Sequence, residues 1–367
     1  MSAAEQELLL TAVLHPDSMK KLSLAQWDLL IRQGRRADLL ARIGEDARLH
    51  GLWDTLPAAP RRHIESAMKL VARQHVELLH EARAIAQALA PLGEPAVLLK
   101  GAAYTLANLS AARGRMVSDV DILVPRHRLS EVESALMMAG WVQTNRNAYD
   151  QHYYRKWMHE LPPLRHVKRG SVLDVHHAIL PPTARLKPDS ALLLADTVAA
   201  GNDEKIRVLS KPDMVLHSAA HLFHEGELQM GLRGLVDLDA LLREFSSDVT
   251  FWPQLHSRAQ VLELEGPLHL ALRYTRLLLQ TPAPDRLEAE LLLAARRRGT
   301  VMHPAIQDAL FLRALQPDHA SVSDRWTPLA RGVLYLRGHW LRMPPALLSW
   351  HLMRKLVKNL QPGSTTA

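Results

Sequence analysis

The segment Ser118-Asp119-Val120-Asp121-Ile122-Leu123-Val124 sets two carboxylates one residue apart in a run of β-branched and aliphatic residues. On a strand the side-chain period is 2, so Asp119 and Asp121 share one face while Val120, Ile122 and Val124 turn into a core. Two carboxylates held that close repel each other unless a cation lies between them. Hard oxygen donors of this kind suit Mg²⁺, which binds through one or two carboxylates together with substrate phosphates. A solvated strand end would show the same pair, so the surroundings decide. Upstream, Lys100-Gly101-Ala102-Ala103 joins an apolar run to a helix, a turn of small residues that offers backbone N–H groups to a phosphate. Downstream, Val172-Leu173-Asp174-Val175-His176 puts Asp174 and His176 on one face of a second strand. A third carboxylate beside the first two completes the donor set of a two-metal site for in-line phosphoryl chemistry.

A second cluster competes for attention. His217, His221 and His224 are spaced i, i+4, i+7 and share a helix face, an arrangement able to bind Zn²⁺. It would make the protein a helical metallohydrolase. The chain has 20 histidines and no His-Glu-x-x-His signature, so the plainer reading is a helix packed on the strand-bearing region. In that reading His221, Arg233 and Asp237 form a buried polar network, since buried polar groups need partners.

The elements that must position these residues alternate between strand and helix only from about 95 to 180. Ala96–Leu99 is a short apolar run, a helix follows to about Ala112, and Arg113–Ser118 is a loop. Val120–Val124 is a strand ended by Pro125. Ser130–Ala139 is a helix with Val132, Leu136 and Met137 inward. Strands are expected at Trp141–Gln143, His152–Trp157 and Leu164–Val167, and Lys168-Arg169-Gly170-Ser171 reads as the hairpin turn into a strand over Val172–Ile179. On either side the spacing is helical. Ser23 caps a helix carrying Leu24, Trp27, Leu30 and Ile31 on one face, and a long helix after Pro60 turns Ile64, Met68, Val71, Leu78, Leu79 and Ile85 inward. After Pro188, helical spacing runs over Val215–Phe223, Leu232–Phe245, Leu262–Leu279 and Leu287–Arg297. The expected fold is α+β and mostly helical: an N-terminal helical region over 1–92, a small mixed-sheet module over 93–182, and a C-terminal helical region over 183–367.

The 367 residues are 47% hydrophobic and 23% charged, the balance of a soluble globular chain. The absence of cysteine excludes disulfides, thiolate metal sites and cysteine nucleophiles. The start of the chain has an acidic residue ahead of a short apolar run and does not read as a signal peptide, and no apolar stretch nears the roughly 20 residues of a membrane span, so the expected compartment is the cytoplasm. The net charge of +7 is unevenly placed. Seven basic residues and no acidic one lie beyond Asp324, leaving 38 basic against 38 acidic residues over 1–324. Over 347–360, His351, Arg354, Lys355 and Lys358 fall on one helical face opposite Leu348, Leu352 and Leu356. Such a tail packs on the body, lies on an anionic membrane surface or touches nucleic-acid phosphates.

Taken together, the Leu98–Ala103 turn, the run Gly114-Arg115-x-x-Ser118-Asp119-Val120-Asp121 and the strand Leu173-Asp174-Val175-His176 resemble the DNA polymerase β-like nucleotidyltransferase superfamily, and more closely its uncharacterised bacterial nucleotidyltransferase family. The helical stretch from His217 to Asp237 also looks like that family. The resemblance implies a polymerase-β-like module and Mg²⁺- or Mn²⁺-dependent transfer of a nucleoside monophosphate from an NTP such as ATP to an acceptor hydroxyl. It implies that Asp119, Asp121 and Asp174 hold the metal ions and that Asp174 favours deprotonation of the attacking hydroxyl. Lys100, Arg115, Ser118 and the backbone at Gly101 and Ala102 would hold the nucleotide. Arg113 and Arg115 serve either this role or as solvated loop charges, and His176 either touches nucleotide or acceptor or is hydrogen-bonded beneath the site. The superfamily usually opens this helix with Gly-Ser or Gly-Gly, where the chain has Lys100-Gly101-Ala102; Lys100 then stands in as a point charge. The same fold without turnover would be a binding or regulatory protein. The acceptor class, whether protein, RNA, sugar or small molecule, is not written in the sequence.

Overall fold

The computed structural model describes residues 8–143, 157–201, 203–224, 226, 228–299 and 301–344. The N-terminal helices are α1 (Leu8–Leu14), α2 (Leu24–Arg36), α3 (Leu40–Leu49) and the long α4 (Ala58–Leu89). Ser23 caps α2 through a reciprocal capping box with Gln26. Trp27, Leu30 and Ile31 are buried as expected, whereas Leu24, expected on their face, is exposed at the first turn. In α4, Ile64, Met68, Val71, Leu78 and Ile85 are buried as the spacing predicts, whereas Leu79, expected inward, is exposed. It lies one residue beyond Leu78, some 100° round the helix.

Then follow β1 (Ala96–Leu98), α5 (Lys100–Leu106), β2 (Asp119–Leu123), α6 (Leu129–Met138), β3 (Trp141–Gln143), β4 (Leu164–His166), β5 (Val172–His176), α7 (Ser190–Ala195), β6 (Thr197–Ala200) and β7 (Asp203–Leu209). Met137 on α6, expected inward, is exposed, because Val132 and Leu136 define the buried face. The hairpin turn between β4 and β5 is as the sequence predicts. The strand expected over His152–Trp157 lies outside the described residues, apart from its last one.

The seven strands form one mixed sheet in the order β3-β4-β5-β2-β1-β7-β6. β2 runs parallel to β5, and β1 parallel to β7. The strands β6 and β7 correct the expectation that the chain is purely helical after Pro188. β7 carries a period-2 pattern, Lys205-Ile206-Arg207-Val208, with Ile206 and Val208 buried, and it inserts beside β1 in the body of the sheet.

The remaining helices are α8 (Lys211–His224), α9 (Gly231–Phe245), α10 (Phe251–Val261), α11 (Glu265–Leu279), α12 (Asp285–Arg297), α13 (Pro304–Ala314) and α14 (Thr327–Arg342). The single helix expected over 262–279 starts only at Glu265, because Glu263 takes a left-handed backbone (φ +59°) between α10 and α11. One continuous apolar core joins the N-terminal helices, the sheet and the C-terminal helices. α4 packs against β1, β2 and β7, and α8 packs against α5. Among the described residues no helix is long and apolar enough to cross a membrane. The basic helix expected over 347–360 lies outside the described residues.

Candidate active site

β2 and β5 pair in parallel with Asp121 opposite Asp174 and Asp119 opposite Val172. Residues in register on neighbouring strands share a face, so Asp119, Asp121 and Asp174 all rise from the same side of the sheet. Val120 and Ile122 turn to the other side and are buried. The period-2 pattern around Asp119 is therefore what aims the carboxylates.

The turn after β1 brings the first cation. Leu99 N–H donates to the Asp121 carbonyl (2.9 Å), which ties the end of β1 to the middle of β2. Lys100 follows with φ +48°, a left-handed conformation that costs a non-glycine residue on the order of 1 kcal/mol. Its ammonium sits 3.3 Å from Asp121 Oδ1. On the other side, His176 Nε2 lies 2.8 Å from the same oxygen. Burial alone would raise the Asp121 carboxyl, but Lys100 and the His176 hydrogen bond outweigh it and hold it well below the usual carboxylate range. His176 is itself buried; burial would lower it, but Asp121 raises it above an ordinary histidine. It sits beneath the carboxylates rather than among the residues lining the cavity above them.

Among the described residues Asp174 makes no such ion pair. Its Oδ1 is buried with no hydrogen-bond partner among the described residues. Burial and then the Asp121 and Glu160 carboxylates push its carboxyl up to about 7. Three carboxylates on one face, one of them with a buried oxygen that has no hydrogen-bond partner among the described residues, form a compact set of oxygen donors. Their hard oxygens fit Mg²⁺ or Mn²⁺.

A cavity of about 220 Å³ opens over Asp119 and Asp121. Its cations are Lys100, Arg115 and Arg233, and its remaining carboxylate is Asp237. Arg115 Nε donates to Asp237 Oδ2 (2.8 Å), and its guanidinium stands 5.5 Å from the Tyr104 ring centroid. Gly101 is what lets it through: a Cβ there would overlap the Arg115 guanidinium. The preceding Gly114 adopts φ +63° and presses on the Ala41–Arg42 backbone, where any side chain would collide. His75 of α4 then holds the Arg115 carbonyl through Nε2 (2.9 Å). Arg233 pairs with Asp38. Of the expected network among His221, Arg233 and Asp237, two members make longer-range pairs, Arg115–Asp237 and Arg233–Asp38. Ser118 lines the cavity and donates to Asp119 Oδ1 (3.1 Å). Of the other residues expected to hold nucleotide, Gly101 lines the cavity, Ala102 is buried in the core and does not line it, and Arg113 is exposed.

The histidines of α8 do not form a metal cluster among the described residues. His217 and His221 meet edge to face at 6.5 Å, and burial, reinforced by Lys100, keeps both well below an ordinary histidine. They stand uncharged beside the site. His224 lies near Arg337 and Arg342, and burial pushes it down to about 3.

Sequence reading missed Asp38, Glu160 and the Tyr104–Ser218 hydrogen bond. Asp38 is the one with a local mark, a non-glycine residue at φ +55° in a helix–helix turn.

The model of a family described as uncharacterised nucleotidyltransferase matches residues 23–280, a span holding all three carboxylates, Lys100 and the Arg115–Asp237 pair. No curated protein and no solved structure matches the chain. With the match covering most of its length, the chain belongs to this nucleotidyltransferase family.

Proposed function

We propose that the protein transfers a nucleoside monophosphate from an NTP to an acceptor hydroxyl, with divalent cations held by Asp119, Asp121 and Asp174. The observation carrying this reading is Asp174 Oδ1, buried without a hydrogen-bond partner among the described residues and set in register with Asp121 on one sheet face. When bound, Mg²⁺ supplies charge stabilisation for the phosphates and lowers the cost of deprotonating the attacking oxygen. In the transfer, the acceptor oxygen bonds to the α-phosphorus, the bond from that phosphorus to the bridging oxygen of the β-phosphate breaks, and pyrophosphate leaves with the electron pair. Asp174 takes the hydroxyl proton. Lys100, Arg115 and Arg233 orient the phosphates. In the cavity these three cations are matched by Asp119, Asp121 and Asp237, so the site carries no surplus positive charge of its own. Nucleotide affinity should therefore depend on the divalent ion.

A second cavity, of about 570 Å³, shares Val117, Ser118 and Asp119 with the first and extends between α4 and the β4–β5 hairpin. Gln74, Ser171 and the Glu81–Arg169 pair line it. Gln74 Oε1 and Ser171 Oγ are buried there without hydrogen-bond partners among the described residues. These groups suit a hydroxyl- or amine-bearing small acceptor better than nucleic acid, whose recognition needs a row of unpaired cations.

The test is incubation of the purified chain with each α-labelled NTP, Mg²⁺ or Mn²⁺, and a panel of polyhydroxylated and amino acceptors. Label in the acceptor together with released pyrophosphate supports the reading. Metal-dependent NTP binding without turnover across NTPs and cell extract would make the protein a binding or regulatory member of the fold.

A further inference from the structure

Close to the three carboxylates, a different set of donors converges. His159 and His176 are 6% and 2% exposed, and neither Nδ1 has a hydrogen-bond partner among the described residues. One ligand atom from each of His159, Glu160 and His176 lies within 4.8 Å of the others. The backbone, not the side chains, holds them there. Glu160 bridges to His176 along the edge of β5, His177 N–H donates to the His159 carbonyl (2.8 Å), and Leu161 N–H donates to the Val175 carbonyl (2.9 Å). The donors are thus brought together by main-chain bonds before any ligand arrives.

The tautomer of His176 sharpens the point. Its Nε2 faces the Asp121 carboxylate at 2.8 Å, which requires an N–H there. Its Nδ1 faces Glu160 Oε2 at 3.4 Å. A neutral His176 then turns a lone pair toward a carboxylate, a contact that a second proton on the ring or a metal ion between the two would make favourable. Among the described residues His159 Nδ1 has no partner; a metal ion would satisfy it as well, and an imidazolium at His176 would not. The 3.4 Å separation also matches the ligand–ligand edge of a tetrahedral site with bonds of about 2.1 Å. Two imidazoles and one carboxylate, with a carboxylate behind one imidazole, form the donor pattern of Zn²⁺ and of open Fe²⁺ sites.

We propose that His159, Glu160 and His176 bind a first-row transition ion, Zn²⁺ best, at a site separate in donor chemistry from the all-oxygen Mg²⁺ site and joined to it by the His176–Asp121 hydrogen bond. The ion fixes His176 as an Nε2–H donor and so orients Asp121. The inference rests on the nitrogen donors and not on the nucleotidyltransferase reading.

The test uses the full-length protein stripped by chelation and titrated with Zn²⁺, Co²⁺ and Mg²⁺ in turn. One equivalent of Zn²⁺ is expected in competition with a chromophoric chelator, with a higher melting temperature. Co²⁺ should give the visible absorption of a low-coordinate nitrogen-bearing site, and Mg²⁺ should not displace it. His159→Gln and Glu160→Gln, checked for folding by circular dichroism, should each weaken Zn²⁺ by more than tenfold. Asp121→Asn, which removes the carboxylate behind His176, should weaken it by roughly 10–100-fold. Asp119→Asn should leave Zn²⁺ affinity unchanged. Absence of stoichiometric uptake would overturn the proposal and leave His176 as an imidazolium between two carboxylates. Uptake that survives both His159→Gln and Glu160→Gln but fails in Asp119→Asn would overturn it too, by placing the ion on the carboxylates. If one of the two variants does not fold, the other carries the same decision.

Discussion

The sheet face and the C-terminal helical body both bury charge, but they leave it in opposite states. In the body, Asp213 is fully buried and takes two hydrogen bonds from Arg258, each 2.7 Å. Asp308 takes bonds from Arg273 and from the Tyr274 hydroxyl. These carboxylates complete a fold. On the sheet, Asp174 Oδ1, His159 Nδ1 and His176 Nδ1 are buried without hydrogen-bond partners among the described residues, in a cluster that also holds Asp121 and Glu160. The body has buried atoms without hydrogen-bond partners among the described residues as well, but His224 Nε2 and His269 Nδ1 belong to single neutral histidines, and Glu265 Oε2 keeps Arg298 at 3.3 Å. What marks a site is the gathering of like charges and lone pairs in one place, because a fold alone gains nothing from it.

The largest expected effect follows from that contrast. Asp119→Asn or Asp121→Asn should lower transfer by about 10³-fold or more, since metal-held phosphate chemistry supplies several kcal/mol and each 1.36 kcal/mol is tenfold. Asp174→Asn should do the same while raising the melting temperature of the metal-free protein, because it removes a like charge from a buried cluster. Steady-state assays and calorimetry at pH 8 check both. A melting temperature that falls in Asp174→Asn would mean that its carboxylate is a structural partner, as Asp213 is.

The mirror experiment is in the body. Removing Asp213 leaves Arg258 with only the Leu192 carbonyl and the more distant, exposed Asp196, and breaking a buried pair costs about 3–5 kcal/mol. Asp213→Ala should therefore lower the urea midpoint strongly while leaving metal and NTP affinities of the remaining folded protein unchanged. Loss of NTP binding in proportion to stability would erase the distinction between the two regions.

How far the sequence reveals each region has a physical reason. The alternation over Asp119–Val124 and Val172–His176 fixes which side chains share a face, so the three carboxylates are legible before any coordinates. Partner choice is not local. Arg115 finds Asp237 122 positions away, and Arg233 finds Asp38 195 positions away, and nothing in either segment's spacing encodes the other. β7 has a legible strand pattern but no mark of its place beside β1. Glu160 sits before Leu161-Pro162-Pro163, outside any periodic run, and comes beside His176 only because its backbone docks along β5.

A smaller effect separates the regions by pH. Burial pushes His224 down to about 3 and His269 down to about 4, while an unfolded histidine titrates near 6.5. Below pH 6.5 the unfolded chain takes up protons that the folded chain refuses, so stability is complete above 6.5 and falls as pH drops toward these values. Each histidine contributes a slope of up to about 1.4 kcal/mol per pH unit. Urea unfolding at pH 5 and 7.5 should show the decline, and His224→Gln/His269→Gln should flatten it. An unchanged slope in that variant would place the acid sensitivity at His159, His217 and His221 on the sheet side instead.

The smallest expected effect distinguishes the two cavities that meet at Ser118 and Asp119. Each hydrogen bond from an acceptor to Gln74 Oε1 or Ser171 Oγ satisfies an atom that the fold leaves buried and unpaired, a gain of about 1 kcal/mol. Gln74→Leu and Ser171→Ala should therefore raise the acceptor KM roughly fivefold each, with NTP affinity and kcat held near wild type. The same substitutions remove partnerless polar atoms from the free protein, so its melting temperature should hold or rise slightly. Lys100→Ala gives the converse pattern, because its ammonium faces Asp121 on the other cavity: weaker NTP binding with little change in acceptor KM. Equal changes in both constants for all three variants would mean that the two cavities bind one substrate between them. Acceptor and nucleotide would then have to enter by the same mouth, and the hairpin side of Asp119 would be only packing.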